Sequence, residues 1–326
     1  MRGRWYVTTG VALLALVTAA ACSGNDSEKG NGRTDTSSSA SRSITMGPEF
    51  PNARTEVTGA FWNGMVAVAG GFTPDQSTDR FDLFDVAAGT WLPGPALPHH
   101  YDHSSLAELD GRLYLVGGYT GGLSNPTNEV FSLGPSESAW VPEPNMATRR
   151  GAIATAASNG KLVAVGGVDE NGNVLTSTEI FRPGVGWSMG PRLNRPREHL
   201  AATVAGDKVY AIAGRNGNGA TRSVESLIVG TDQWNSEPPV HDARSGIGAA
   251  TTASGRMCTG GGEVPGKPDT VPSIECYSRG RWRRVATLQV PRHGLAVVAE
   301  GDRVHFVAGG PQPGATFSDA HEVLEV

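Results

Sequence analysis

A unit of about 48 residues repeats six times along this chain, and the repeat limits the possible folds more than any other feature. In each unit an apolar run ends in a residue pair, which is Gly-Gly in five units and Gly-Arg in the fourth. The pairs are Gly70-Gly71, Gly117-Gly118, Gly166-Gly167, Gly214-Arg215, Gly261-Gly262 and Gly309-Gly310. A regular period of this length predicts one small structural unit that is stacked many times.

The same markers follow each pair. An acid stands two residues before an aromatic residue or a leucine, and in five units a tryptophan comes next, followed ten residues later by an arginine or, once, a tyrosine. This order resembles the kelch repeat, and the resemblance covers residues 44–326. Kelch repeats form propeller blades of four antiparallel strands, so the resemblance implies an all-β propeller. The 44 glycines, 21 prolines and only 18 % charged residues agree with short strands joined by turns.

The two ends of the repeat region predict how the ring closes. The last unit stops at Val326 after a third strand, and no tryptophan strand follows it. Ten residues before Arg54 stands Ile44, and the segment 44–48 has the layout of a tryptophan strand. We therefore predict a six-bladed kelch-type β-propeller over residues 43–326, in which an N-terminal strand closes the last blade and covers its free edge.

Residues 1–21 resemble the signal peptide of a bacterial lipoprotein. Arg2 and Arg4 precede a short apolar run, and small residues stand directly before Cys22. By this resemblance Cys22 is lipidated and anchors the chain to the bacterial cell membrane on its extracytoplasmic side; ordinary cleavage without lipid is the alternative. Residues 22–42 lack large apolar side chains, so we expect a disordered tether.

Charge and motifs narrow the partners. The formal net charge is −5, and loss of the leader makes it more negative, which disfavours nucleic acid because phosphate binding needs a positive surface. The sequence contains no G-x-S-x-G, Walker or dinucleotide-binding motif. We expect a monomer whose partner is a protein, a peptide or a glycan.

The connections between strands distinguish the two faces of the propeller. Turns between the first and second strands are minimal dipeptides such as Asn63-Gly64 and Asp110-Gly111, which suit tight hairpins. Connections between the second and third strands are longer and differ from one another. Variable loops on a regular scaffold usually carry binding. We therefore place the ligand site on the face formed by these loops and by the crossovers between blades, here called the mouth face.

Repeated and asymmetric positions give two sets of candidates at this face. The repeated arginines and Tyr101 begin the innermost strands, where they could bind a carboxylate; the alternative is that they pair with the repeated acids as a structural layer. One and two residues further on, the blades differ, as a ligand site requires. The candidate ligand-binding residues are Arg54, Tyr101, Asp102, His103, Arg150, Arg197, Glu198, His199, Arg244, Arg292 and His293.

We expect no metal and no cofactor. His99 and His103 are four residues apart, a spacing that converges on a helix but not on a loop that runs into a strand. Cys258 and Cys276 lie on neighbouring strands of the fifth blade. They form a disulfide if the register places them opposite each other, and the alternative is two buried free thiols.

Two classes of function remain open. The first is a tethered binding module. The second is a sugar-active enzyme, because exported kelch propellers include a six-bladed sialic-acid mutarotase, and Glu198 or His199 near Arg197 could supply acid–base chemistry. A copper galactose oxidase is the weaker enzyme alternative, since that family has seven blades and a cysteine-linked tyrosine that this chain does not provide. Binding is favoured, because the repeats account for nearly every distinctive residue.

Overall fold

The computed structural model describes residues 42–123 and 125–326, which form six four-stranded antiparallel sheets. The first strands of neighbouring sheets contact one another around a ring and line a central channel. The predicted six-bladed all-β propeller is therefore confirmed. No helix in this part of the chain is long and apolar enough to cross a membrane. The proposed leader, Cys22 and most of the proposed tether lie outside the described residues.

The strands follow the chain in blade order, and in blades one to five each blade runs from the axis outwards. The N-terminal strand is β1 (Ile44–Met46). Blade one contains β2 (Thr58–Trp62), β3 (Met65–Ala69), β4 (Phe81–Asp85) and β5 (Thr90–Pro93). A two-residue strand, β6 (Tyr101–Asp102), precedes blade two. Blade two contains β7 (Ser105–Leu109), β8 (Arg112–Val116), β10 (Val130–Leu133) and β11 (Val141–Glu143), and β9 (Tyr119–Thr120) pairs with β6.

The remaining blades repeat this plan. Blade three contains β12 (Ala154–Ser158), β13 (Lys161–Val165), β14 (Thr178–Arg182) and β15 (Gly186–Met189). Blade four contains β16 (Ala201–Ala205), β17 (Lys208–Ile212), β20 (Val224–Ile228) and β21 (Asn235–Glu237), with the small hairpin β18 (Arg215–Asn216) and β19 (Gly219–Ala220) in its loop. Blade five contains β22 (Gly248–Thr251), β23 (Met257–Gly260), β24 (Ser273–Ser278) and β25 (Arg281–Thr287). Blade six contains β26 (Ala296–Glu300), β27 (Arg303–Val307) and β28 (His321–Glu325).

Blade six is completed by the N-terminus. Strand β1 pairs with β28, with Ile44 opposite Leu324 and Met46 opposite Glu322. The outer strand of the last blade therefore comes from the other end of the described chain, as the spacing of the repeats predicts. Without β1, β28 would present an unpaired edge.

The apolar core is divided among the joints between blades. Each pair of neighbouring blades encloses one cluster of buried residues, for example Leu106 and Leu113 of blade two with Trp62 and Phe81 of blade one. A tryptophan adds a hydrogen bond at five of these joints: the Nε1 of Trp140 donates to a proline carbonyl of the preceding blade. The other tryptophan–proline pairs are Trp91–Pro48, Trp187–Pro144, Trp234–Pro191 and Trp282–Pro238.

The structure corrects the register of two of the six small-residue pairs. The second member of every pair donates its N–H to the carbonyl at the start of the next blade and has φ between 95° and 104°, which suits glycine alone. In blades four and six that member is Gly214 and Gly309. The pairs are therefore Ala213-Gly214 and Ala308-Gly309, and the sequence register given above is one residue late at both. Arg215 is thus the first residue beyond its pair.

Blade five carries a disulfide between Cys258 and Cys276. The two residues stand directly opposite each other on β23 and β24, which is the register that the bond requires.

Two buried histidines pair beside the closing seam. The Nδ1 of His321 lies 3.1 Å from the carbonyl of Pro48, which can only accept, so this nitrogen carries the proton. The His321 Nε2 then accepts from the Nδ1 of His305 at 2.9 Å. Burial lowers the pKa of His305 to about 3 and that of His321 to about 4. Both imidazoles are therefore neutral in the folded chain near neutral pH.

Deleting residues 43–46 is expected to destabilise the propeller, because β28 loses its partner strand. The expected fall in the free energy of unfolding is at least about 2 kcal/mol, or roughly 4 °C in the melting temperature. Differential scanning fluorimetry of the full chain measures it. Deleting residues 23–40 instead is the control and leaves the melting temperature unchanged; an equal loss in both deletions would contradict the closure.

The histidine pair predicts a loss of stability in mild acid. The unfolded chain takes up protons on these two side chains below pH 6.5, whereas the folded chain does so only near pH 4 and 3. Stability should therefore fall as the pH drops from 6.5 to 4, by up to about 1.4 kcal/mol per pH unit for each histidine. Denaturant titrations across this range should show a shallower slope in His321→Gln, whose amide can keep both hydrogen bonds. His100→Gln, at a half-exposed site, is the control, and an unchanged slope in His321→Gln would refute the assignment.

Candidate functional site

The repeated arginines lie inside the blades, beneath the mouth. Each guanidinium is fully buried and pairs with the repeated acid of its own blade. The pairs are Arg54–Asp82, Arg150–Glu179 (2.7 Å), Arg197–Glu225 (2.8 Å), Arg244–Glu275 (2.7 Å) and Arg292–Glu322 (2.5 Å). In blade two the hydroxyl of Tyr101 donates to Glu129 at 2.9 Å in place of an arginine. The repeated arginines and acids therefore pair with each other, as the structural alternative in the sequence analysis predicts. The buried arginines have no exposed surface that a ligand could contact.

The acids of these pairs also hold the crossovers between blades. The carboxylate of Glu179 accepts the N–H groups of Ala147 and Thr148, which lie in the crossover that leads to Arg150. The acids of blades four, five and six accept crossover N–H groups in the same way. These four crossovers are therefore held in position as they approach the axis.

Two residues after each arginine position, the six crossovers form a closed ring of backbone hydrogen bonds. In five of the six members the N–H donates to the carbonyl of the preceding member at 2.8–3.2 Å. At the sixth, Glu56, the N–H of the next residue, Val57, closes the ring on Gly294. The members are Glu56, His103, Ala152, His199, Gly246 and Gly294. Three of the six carry functional side chains, so Glu56, His103 and His199 all start from one level around the axis.

The ring holds four non-glycine residues in a strained backbone conformation. Glu56, His103, Ala152 and His199 have φ between 50° and 54°. Left-handed backbone costs an ordinary residue about 1–2 kcal/mol. Such outliers concentrate at functional sites, where the surrounding structure enforces them. Because the same conformation recurs at Ala152 and at the two glycines, the scaffold enforces it, and the side chains of the two histidines and the glutamate are what distinguish their blades.

A second layer of residues lies next to the ring. The residue before each ring member bridges to the residue that follows the small-residue pair, as Glu198 does to Arg215 and Ser245 does to Glu263. This pairing brings Arg215 and Glu263 to the mouth, where they meet each other: Nη1 of Arg215 lies 2.5 Å from Oε1 of Glu263.

His103 stands between two carboxylates. Its Nδ1 lies 2.6 Å from Oδ1 of Asp102, and its Nε2 lies 3.3 Å from Oε2 of Glu56. The hydroxyl of Ser77 donates to the other oxygen of Asp102 at 2.6 Å. This buried chain of contacts fixes the orientation of the imidazole.

His199 has a matching environment across the axis. Its Nδ1 contacts the carboxylate of Glu198, and its Nε2 lies 3.2 Å from Nη2 of Arg215. The rings of His103 and His199 meet edge to face with centroids 4.7 Å apart. Arg215 also contacts Oε1 of Glu198 at 2.5 Å. Two imidazole–carboxylate pairs therefore face each other over the channel.

His293 approaches the same group from the other side of the closing seam. Its Nδ1 lies 3.2 Å from Oε1 of Glu56 and 3.9 Å from Oε2 of Glu263. Its Nε2 lies 3.0 Å from the carbonyl of Gln312 and 3.1 Å from that of Gly314. The predicted candidates Asp102, His103, Glu198, His199 and His293 are thus brought together, with Glu56 in their centre.

Burial and neighbouring charges shift these groups in opposite directions. Burial raises the pKa of Glu56. The charge of His103 and the contact with His293 lower this pKa by a larger amount, so the net shift is downward. Burial lowers the pKa of His103, but Glu56 and Asp102 raise it overall. At His199, burial lowers the pKa and the bond to Glu198 does not restore it. His103 is therefore more easily protonated than the facing His199.

An open cavity of about 400 Å³ lies directly above this cluster. Its floor is formed by the charged groups, and its walls include the side chains of Phe72, Leu123 and Phe317 from the variable loops. The cavity is on the mouth face. It combines an ionic base with apolar sides, which is a common design for small-ligand sites.

Three residues of this site were absent from the sequence candidates: Glu56, Arg215 and Glu263. Glu56 occupies the same register as His103 and His199, and that signal could have found it. Arg215 stands where the sequence register assumed a second glycine. This departure from the repeat could have identified Arg215 as a candidate. The pairing that brings Glu263 to the mouth depends on bridges that only the structure reveals.

A family model described as "Kelch motif" matches residues 102–147 and 196–241. The chain therefore contains kelch motifs, in register with blades two and four. It is 26 % identical over 310 residues to the Kelch-like protein terF of Aspergillus terreus, covering 86 % of this chain and 66 % of that protein. It is 30 % identical over 217 residues to Kelch-like protein 41a of Danio rerio, covering 65 % of this chain and 35 % of that protein. The kelch region thus spans less than two thirds of the length of either relative.

A solved structure shares the fold. The structure titled "Structure of YjhT" superimposes with a TM-score of 0.73 at 20 % identity, covering 85 % of this chain and 96 % of that chain. The likeness supports the propeller fold.

Replacing a buried arginine should cost much more than replacing its exposed neighbour. Arg150→Ala leaves Glu179 buried without its charge partner, and breaking a buried pair in this way costs about 3–5 kcal/mol. Arg149→Ala is the matched control, because Arg149 is exposed. Urea unfolding measures both. The double variant Arg150→Met/Glu179→Gln should recover part of the loss, and equal stabilities for Arg150→Ala and Arg149→Ala would disprove a structural role.

Proposed function

We propose that this protein is a membrane-tethered, extracytoplasmic kelch propeller that binds a glycan in the cavity of the mouth face. The observation that carries the proposal is the cavity itself, in which a charged floor meets aromatic walls. A propeller of kelch repeats is commonly a binding module. In this chain, charged residues that differ from blade to blade are gathered at the floor of the mouth cavity.

The chemistry of the cavity suits a sugar. A sugar ring presents hydroxyl groups at its edge and C–H groups on its faces, so it can donate to carboxylates while it packs on aromatic rings. Glu56 and Glu263 provide acceptors at the floor, and Phe72 and Phe317 provide apolar surface above them. A volume of about 400 Å³ lies in the range of small-ligand pockets.

The location is proposed from the N-terminal sequence. The lipoprotein-like segment up to Cys22 and the polar segment that follows it support export and anchoring. Together they would hold the propeller near the outer surface of the membrane, where glycans are accessible.

A sugar-active enzyme is the second candidate, because two imidazole–carboxylate pairs face the same cavity. His103 with Asp102 and His199 with Glu198 could remove and return a proton of a sugar bound in the cavity next to them. Arg197 is buried against Glu225 and cannot take part; Arg215 occupies the position beside Glu198 and His199.

Binding should depend on the cavity walls. Phe72→Ala removes an aromatic wall, and we expect glycan affinity to fall roughly 10-fold, since about 1.4 kcal/mol of contact is lost. Phe61→Ala is the matched control, because Phe61 lies at the opposite end of the channel. Calorimetry on the full chain, after a glycan array identifies a ligand, measures both variants.

The same ligands distinguish the two candidates. NMR spectra of each glycan incubated with the protein reveal any change of configuration, which would favour the enzyme. Equal affinities in Phe72→Ala and Phe61→Ala would remove the cavity from consideration and point to a protein partner on the outer loops.

A further inference from the structure

We propose that Glu56, His103 and His199 bind one divalent transition-metal ion of the zinc class at the floor of the mouth cavity. One carboxylate oxygen and two imidazole nitrogens lie within 4.8 Å of one another. The Nε2 of His103 and Oε2 of Glu56 are 3.3 Å apart. Bonds of about 2.0–2.1 Å to a tetrahedral ion place neighbouring donors roughly 3.4 Å apart, so this pair already has the required spacing.

The protons on both imidazoles are arranged for metal binding. The Nδ1 of His103 faces Asp102, and the Nδ1 of His199 faces Glu198. An ionised carboxylate only accepts, so each Nδ1 carries hydrogen and each Nε2 keeps its lone pair when the ring is neutral. Metal-bound histidines almost always donate their other N–H to a carboxylate or carbonyl in this way. Both ligands therefore have the expected supporting contacts.

His293 supplies an independent observation. Its side chain is 3 % exposed, and its Nε2 faces two backbone carbonyls, so this nitrogen carries hydrogen. Its buried Nδ1 makes no hydrogen bond of acceptable geometry and lies 3.2 Å from Oε1 of Glu56. A carboxylate at this distance favours a proton on Nδ1, and a metal ion can take the place of that proton when it binds. The third histidine is thus available as a further ligand on the seam side of Glu56.

The charge of the floor also favours a cation. Four carboxylates meet there, Glu56, Asp102, Glu198 and Glu263, and Arg215 is the one guanidinium among the cavity residues described. Buried charges of one sign need compensation. A divalent ion between Glu56 and the histidines offsets most of the excess without placing a proton on either Nε2.

The donor set selects the kind of metal. Imidazole nitrogen suits Zn²⁺, Cu²⁺, Ni²⁺ and Fe²⁺, whereas Mg²⁺ and Ca²⁺ prefer oxygen. Two histidines and one glutamate are a known zinc set that leaves one coordination position free. All three ligand residues line the open cavity. The ion displaces one contact, because Nη2 of Arg215 lies 3.2 Å from Nε2 of His199; Glu198 and Glu263 continue to hold Arg215.

The metal site goes beyond the proposed glycan binding and does not require it, since every ligand comes from the protein. The two can therefore fail separately. Phe72→Ala weakens the glycan and should change metal affinity far less than Glu56→Gln does, because Phe72 supplies no metal ligand and only packs on the ring of His103.

Zinc uptake by the full chain tests the site. Chelator-treated protein is titrated with Zn²⁺ by calorimetry, and the metal content is measured after dialysis. We expect one ion per chain and no comparable uptake of Mg²⁺ or Ca²⁺. His103→Ala and Glu56→Gln should each weaken binding by at least about 100-fold, and Asp102→Asn, which alters a supporting contact, by about 10–100-fold.

Two matched controls keep the test specific. His100→Ala and Glu170→Gln change the same residue types at half-exposed and exposed sites and should bind Zn²⁺ as the parent chain does. Substituting Co²⁺ gives a visible spectrum that reports imidazole ligation, and Glu56→Gln should remove that spectrum even if His103→Ala fails to fold. Absence of stoichiometric uptake, or uptake that survives in Glu56→Gln, overturns the proposal. Glycan binding by a chain that takes up no Zn²⁺ overturns the metal site and leaves the binding function in place.

Discussion

The interaction on which the rest of the structure depends is the buried bond between a crossover arginine and the acid of its own blade. Each guanidinium loses all contact with water, yet it keeps hydrogen bonds to a carboxylate and to backbone carbonyls, as Arg150 does to Glu179 and Gly166. Burial of such a group is tolerated here because its terminal nitrogens are paired and hydrogen-bonded, although the Nε atoms of Arg54, Arg150 and Arg197 have no partner among the described residues. Because the ring members follow the arginines by two residues, this bond determines where the crossovers meet the axis. Tyr101 and Glu129 show that a neutral donor can fill the same role.

A repeated scaffold can create an asymmetric site with few substitutions. The six ring positions share one backbone conformation and one hydrogen-bonding pattern, so the scaffold does not change when their side chains do. Blades three, five and six place Ala152, Gly246 and Gly294 there, and a side chain at Gly294 would collide with Thr55 and Glu56. Blades one, two and four place Glu56, His103 and His199. The chemistry of the mouth is therefore determined largely by the one side chain that each blade contributes to the ring.

The global fold could be predicted from the sequence because its signals are periodic. Six units, a missing last strand and the step of ten residues back to Ile44 together determine the blade count and the closure. The register at Ala213 and Ala308 could not be predicted, because positive φ at an alanine is enforced by tertiary hydrogen bonds and has no sequence signature. The site was only partly predictable for a related reason. The side chains that meet in the site come from separate blades. The test of the spacing between His99 and His103 compared only residues that are close in sequence.

The closing seam and the mouth cluster share residues, and this gives the cluster a second physical role. Glu56 belongs to blade one and His293 to the crossover into blade six, so the contact between them spans the point where the two ends of the propeller meet. Anything that binds both sides of this contact acts as a clasp on the ring, because its binding free energy is available only to the closed form. Occupancy of the site and mechanical integrity of the propeller are therefore coupled: a ring built in this way would be hardest to open when its site is filled.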